Sequence, residues 1–313
     1  MSYTVDSPHR PVGIELVATT QHPSGRGWAP AIDALNATVV AADEAGVDFV
    51  IVRDDFGSDA GAPGPDALVL LANLAPRTSR IGLVAGIDAT SLEPFDVAEG
   101  LATLDFDSHG RAGILLQQLD RKVVASRRQR TIADGAAAGA DEAEFAEAIR
   151  ALWRSWEDDA IVRNAVTGQY LDRDRVHHIN YSGTHVRVRG PLVSPRSPQG
   201  DIPILVDQRP GIDARTLAVA DAVLVSSDTE PQDPHGYPPL ALARRTADEL
   251  RSPGWEPPQH QGIIVTVGGP EDLEVLRTAG LLPRDGASAP DEQLQLRDRL
   301  AHRNLTAAGA GTR

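Results

Sequence analysis

The stretch HGRAGILLQQLD, His109 to Asp120, decides how the chain is read. A glycine-flanked arginine launches the apolar run Ile114-Leu115-Leu116, which ends in two glutamines. So short an apolar run, bounded by glycine, reads as a strand buried on both faces and delivering a polar tip to a working face. The run carries no nucleophile, metal ligand or evident base. Either it serves an active site through its polar end, or it marks a site that has been emptied.

Outward from that strand, short β-rich runs alternate with longer amphipathic stretches. Strands are expected at Val12–Ala18, Phe49–Val52, Ile81–Gly86, Ala112–Leu116, Ile202–Val206, Ala222–Val225 and Gly262–Val267. Helices are expected at Ala31–Ala45, Asp66–Leu74, Pro94–Leu104, Asp141–Trp156, Asp213–Ala220, Pro270–Leu281 and Asp291–His302. Strand–helix repetition calls for a parallel sheet, and strands this apolar for a sheet covered on both faces or closed on itself. Polar residues follow the strands: Asp54-Asp55, Asp88, Gln117-Gln118, Asp207-Gln208-Arg209 and Ser226-Ser227-Asp228. In a (β/α)8 barrel those tips ring the active site; polar residues also end strands in any fold.

Two features depart from a regular barrel. A polar segment at about 163–191 interrupts the repeat with a hairpin, HHINYSGTHVRVRGPL, whose turn is expected at Ser182-Gly183. Only seven strands can be counted: between Val225 and Gly262 the sequence offers a helical stretch, Leu240–Leu250, and proline-rich loops. The expected fold is therefore one α/β domain over 1–313, a TIM barrel incomplete or distorted around its seventh strand, with a shortened region at about 228–261.

Composition narrows the function. The chain has 313 residues, 41% of them hydrophobic and 24% charged, which describes a soluble globular protein. A formal charge of −14 argues against nucleic acid and anionic membrane as partners. No window approaches the roughly 18 apolar residues of a membrane span. The N-terminal MSYTVDSPHRPVG lacks the pattern of a signal peptide, so a cytoplasmic location is expected. There is no cysteine, hence no disulfide or thiolate chemistry. His177-His178 is the sole hint of a metal, and packing or loop contacts explain it better, so no metal is expected.

Several motifs occur in one order: PRTSRIGL, GRAG after a helix ending LATLD, ALWRSWEDDAIVRN, TGQYLDRDRVHHI and RGPLVSPRSPQG. Together they resemble the bacterial luciferase-like monooxygenases, in the nitrilotriacetate and sulfur-compound branch, from about Gly13 to Leu300. The resemblance implies a luciferase-type barrel and a two-component flavin chemistry. A partner flavin reductase would supply reduced FMN, and O2 would oxygenate a small organic substrate. It also implies self-association or pairing with a luciferase-like homologue.

Position by position, the resemblance implies these roles. His22 and Trp28 would line the substrate side; a loop histidine and a packing tryptophan are the alternative, and Gln117, reached as a polar strand tip, is the further substrate-side candidate. Asp54 and Asp55 would face the flavin ring, unless they are simply solvated. Thr90 keeps a ring-side hydroxyl, whereas Asp88 replaces one, and Asp96 stands where the family has histidine. Ile114 and Leu115 occupy the positions of a Trp-Asn pair whose amide holds the flavin; losing one such bond costs about 1–3 kcal/mol, roughly tenfold to a hundredfold in affinity. In the turn DQRPGIDARTLA, Gly211 and Ala214 stand where the phosphate-binding serine and glycine are expected. Arg209 and Arg215 could take the phosphate instead, or could form ordinary ion pairs. Three functions stay open: a reduced-FMN monooxygenase; a flavin-free enzyme using His22, Asp55 and Asp88 as acids and bases; and a non-catalytic subunit of a luciferase-like complex.

Overall fold

A computed structural model describes residues 10–16, 29–53, 65–89, 92–117, 137–209, 212–226, 240–256, 262–282 and 295–300. Four apolar runs near the N-terminus are strands: β1 (Val12–Leu16), β2 (Phe49–Arg53), β3 (Gly82–Asp88) and β4 (Ala112–Gln117). Between them run α1 (Ala29–Ala45), α2 (Ala67–Leu74) and α3 (Pro94–Asp107). Local chemistry sets where these helices start. The Asp66 side chain accepts from the Val69 N–H ahead of α2, and Pro94 opens α3, where its missing N–H costs nothing.

After α4 (Ala137–Trp153) the chain makes two small hairpins, β5 (Ile161–Asn164) with β6 (Gln169–Leu171) and β7 (Tyr181–Ser182) with β8 (Arg187–Val188). Ser182 is the last strand residue of the second hairpin, so its loop is the four residues 183–186 and not a two-residue Ser-Gly turn. Glu144 of α4 holds that loop, accepting N–H groups from Thr184, His185 and Val186 at 2.8, 2.8 and 3.0 Å. The repeat then resumes with β9 (Ile204–Asp207), α5 (Ala214–Val219), β10 (Ala222–Val225), β11 (Leu240–Thr246), α6 (Ala247–Leu250), β12 (Gly262–Val267) and α7 (Leu273–Thr278).

The barrel is closed. Its eight parallel strands run in the order β1-β2-β3-β4-β9-β10-β11-β12, and β12 pairs with β1 from Val12↔Ile263 to Leu16↔Val267. This corrects the expectation of a barrel incomplete or distorted around its seventh strand. Leu240–Thr246, expected to be helical, is the missing strand, in register with Ala222–Val225 on one side and with Gly262–Thr266 on the other. Its sequence LALARRT is built from good helix formers, so local propensity points the wrong way. The unpaired backbone edges of β10 and β12 decide the matter, because only a strand can satisfy both.

Alternation along each strand divides the core in two. One set of side chains packs outward against the helices. The other fills the lumen: Phe49, Ile51, Val84, Leu115, Leu205, Leu224, Leu242 and Ile264, with Leu296 and Leu300 of the helical residues 296–300 in the same cluster. Gly82 makes room for that plug, since a Cβ there would lie 2.6 Å from Leu296 Cδ1. Burying so many apolar groups on both sides of the sheet is the main stabilising term. Arg111 of the GRAG motif is structural: its guanidinium donates to the carbonyls of Ala75, Thr78, Ile81 and Ser108 at 2.7–3.1 Å, before β4 begins.

Candidate functional site at the barrel mouth

Above the apolar layers, a lumen-facing position near the C-terminal end of several strands is charged or polar: Glu15 on β1, Arg53 on β2, Gln117 on β4, Asp207 on β9 and Arg244 on β11. The four charged side chains join in a closed circuit, to which Gln117 is attached through Arg53. Arg53 Nε donates to Glu15, its Nη1 to Gln117 Oε1 at 2.8 Å and its Nη2 to Asp207 Oδ2 at 2.9 Å. Arg244 Nε donates to the other Glu15 oxygen at 2.9 Å and its Nη2 to the other Asp207 oxygen at 2.6 Å. Each carboxylate is thus shared by both guanidiniums. Burial alone would lower the pKa of Arg53, but Asp207 and Glu15 outweigh it and hold the guanidinium more firmly charged.

Above this ring lies a second pair. Glu142, on the second turn of α4, is 1% exposed and binds Arg209 at the tip of β9 through Oε2. Among the described residues its other oxygen, Oε1, is buried without a partner, and so is the amide nitrogen Nε2 of Gln117. Buried polar atoms are nearly always satisfied in folded proteins, so an orphaned donor and acceptor at one barrel mouth are informative. Burial pushes the Glu142 carboxyl up, Arg209 pulls it down, and Asp207 and Asp88 push it up again; the net shift is upward.

The opening strand can now be placed. Leu115 faces the lumen, fully buried in the apolar cluster beneath the ion-pair ring, while Ile114 faces the helices. Gln117, the next lumen position, carries the polar group. Asp88 is fully buried at the end of β3 and pairs in register with Gln117. Arg215 lies away from the lumen, 52% exposed on α5, with Nη2 at 2.8 Å from each Glu147 oxygen. Both Arg209 and Arg215 are therefore engaged as ion pairs. His22, Trp28, Asp54, Asp55, Thr90 and Gly211 lie outside the described residues. His177 and His178 make loop contacts, to Glu157 at 2.6 Å and to the Gly190 carbonyl at 2.5 Å. The acids of SWEDDA serve the same region, Glu157 and Asp159 both pairing with Arg175.

Sequence reading missed Glu15, Arg53, Arg244 and Glu142. A signal existed for Glu15 and Arg53, because a charge within or ending an apolar strand needs a buried partner. Arg244 sat in the misread strand, and Glu142 looks like any acid on a helix surface.

Residues 13–250 match the family model described as luciferase-like monooxygenase. The chain belongs to that family. Its relatives fall in the nitrilotriacetate and sulfur-compound branch. An N-acetyl-S-(2-succino)cysteine monooxygenase of Bacillus subtilis is 31% identical over 67% of this chain and 49% of its own length. The chain thus spans about half the length of that relative. A pristinamycin IIA synthase subunit of Streptomyces pristinaespiralis is 30% identical over 91% of this chain and 93% of its own. In fold, the EDTA monooxygenase of Chelativorans sp. BNC1 superposes with a TM-score of 0.69 at 16% identity, covering 94% of this chain and 98% of that one. Among the described residues no helix of this luciferase-like protein is long and apolar enough to cross a membrane.

Proposed function

We propose that this chain is the oxygenating component of a two-component luciferase-like system. It works in the cytoplasm with reduced FMN from a separate reductase and transfers an oxygen atom from O2 to a small organic substrate. The observation that carries this reading is the buried Nε2 of Gln117 at the tip of β4, which has no partner among the described residues. A flavin ring presents carbonyl oxygens and ring nitrogens along one edge, and an amide N–H without an acceptor fits such an edge. Leu115 has no polar group to offer the ring, and Gln117 supplies one two residues later, on the same side of the strand.

When bound, reduced flavin supplies the electrons for O2 chemistry. This chain's part is to bind, orient and keep water out. Gln117 donates to the ring edge; the Glu15–Arg53–Asp207–Arg244 circuit fixes Gln117 through Arg53 Nη1 and forms a floor beneath it. The phosphate end is less well provided, since Arg209 and Arg215 already pair with Glu142 and Glu147.

That last observation favours a second reading, a flavin-free subunit that acts beside another luciferase-like chain. The Streptomyces relative matched nearly end to end is itself named as a subunit. Titration of the purified chain with FMN and with anaerobically reduced FMN separates the two. Saturable quenching of flavin fluorescence below about 100 μM, worth roughly 5–6 kcal/mol, supports the oxygenating component. Absence of binding at that concentration overturns it, and a stable complex with a co-expressed luciferase-like homologue then supports the subunit reading.

A further inference from the structure

The two orphaned atoms at the mouth belong together. Strand order places β4 between β3 and β9, so Gln117 sits between Asp88 and Asp207. Both of those carboxylates act on Glu142, and Arg209, two residues beyond Asp207, binds it. Glu142 is therefore engaged by the tips of the two strands, β3 and β9, that flank the one carrying Gln117. One contributes an oxygen without a partner, the other an N–H without an acceptor, each on a side chain more than nine-tenths buried.

We propose that Glu142 is an acid–base residue of the barrel mouth, exchanging a proton through Oε1 with a carbonyl-type oxygen that Gln117 Nε2 holds. In the forward step the carboxyl O–H bond breaks and its electron pair stays on Glu142, where Arg209 balances the charge. A new O–H bond forms on the ligand oxygen, and solvent protons reload the carboxyl when the ligand leaves. An ionised Glu142 leaves a charged oxygen buried and unsolvated, which is costly; a protonated one does not. The charged groups that act on it are Arg209 at the tip of β9, Asp207 of β9 and Asp88 of β3; Gln117 lies on the strand between Asp88 and Asp207, and Glu15, Arg53 and Arg244 complete the ring below. Asp207 and Asp88 oppose a negative charge on Glu142, so a proton there also relieves their like-charge repulsion. Its upward shift agrees with this placement.

The proton store exists without flavin; only its use on a flavin carbonyl rests on the reading above. Infrared difference spectra of the full chain, without ligand, test the store. A protonated-carboxyl band should disappear as pH rises beyond the usual carboxylate range, and E142Q should lack it. R209Q, a second variant should E142Q fail to fold, should move the loss of that band to higher pH. A band unchanged in E142Q, or no band titrating in that range, overturns the proposal. FMN serves as the carbonyl probe: wild type should bind it at least threefold tighter below the pH at which that band is lost than above it, and E142Q should bind it equally at both. Equal pH dependence in the two proteins overturns the use of the proton, whereas no FMN binding to either overturns the flavin reading and leaves the infrared result to decide.

Discussion

Gly86 lies against Arg53: a Cβ at position 86 would stand 2.9 Å from Arg53 Cγ, 3.1 Å from its Cα and 3.2 Å from Gln117 Oε1. The absence of a side chain on β3 is what lets Arg53 cross the lumen and reach Glu15, Gln117 and Asp207 at once. Gly86→Ala should therefore act on the mouth and not on the apolar layers beneath it. The expected loss is about 1–3 kcal/mol, the usual range for overpacking. Urea unfolding reads it directly, and wild-type stability in G86A would show that Arg53 has another way through.

Removal of one arginine should cost more than removal of the whole ring. Arg244→Met strips one oxygen each of Glu15 and Asp207 of its partner and leaves the Glu15 carboxylate almost fully buried. The expected cost is on the order of 3 kcal/mol, because an unmatched buried charge is worse than none. Replacing Glu15, Arg53, Asp207 and Arg244 together by apolar residues of similar volume should recover most of that loss, since the desolvation of four charges disappears with their attraction. A quadruple variant less stable than R244M would show that the ring stabilises the barrel in its own right.

Flavin recognition should depend on the ring more than on the phosphate. Arg215 is already bidentate to Glu147 and half exposed, so an incoming phosphate gains little from it. Arg215→Ala should change FMN affinity by less than about threefold, and riboflavin should bind within about tenfold of FMN. Gln117→Ala removes a buried donor and should weaken both by roughly tenfold, as expected for one hydrogen bond of about 1.4 kcal/mol. A large loss of FMN affinity in R215A, with riboflavin unaffected, would mean that the Arg215–Glu147 pair opens to take phosphate.

What could be read from the sequence follows the range of the physics behind each feature. FVIV, AVLV and GIIVTV are strands by composition alone, and their alternation with amphipathic stretches was enough for the barrel class. Leu240–Thr246 was not legible, because its strand character comes from neighbours at 222–225 and 262–266 and not from its own residues. Asp88, Gln117 and Arg209 were reached as strand tips, a local property. The Glu142–Arg209 pair joins residues 67 apart and the Arg244–Glu15 pair joins residues 229 apart, so neither leaves a periodic trace. Which tips meet depends on lumen orientation, and that requires the register.

Outside the mouth, Asp43 sets part of the protein's acid stability. It lies near the end of α1 and accepts the backbone N–H groups of Ser79, Arg80 and Ile81 at 2.8, 2.9 and 2.6 Å, pinning the chain just before β3. Burial pushes its pKa up, but these three N–H groups and the Ser79 hydroxyl outweigh burial and hold it below the ordinary value. A carboxyl whose folded pKa lies below its unfolded value of about 3.9 stabilises the fold above that pH, and the contribution fades as pH falls through the folded value. Asp43→Asn keeps the shape and removes the charge, so it should cost about 1–3 kcal/mol at pH 7. As pH falls from the unfolded carboxylate value towards the lower folded one, the gap between wild type and D43N should narrow, because wild-type Asp43 then loses its charge. Urea unfolding at pH 7, 5 and 3 makes the comparison, and a gap that stays constant with pH would show that the contribution of Asp43 is one of shape alone.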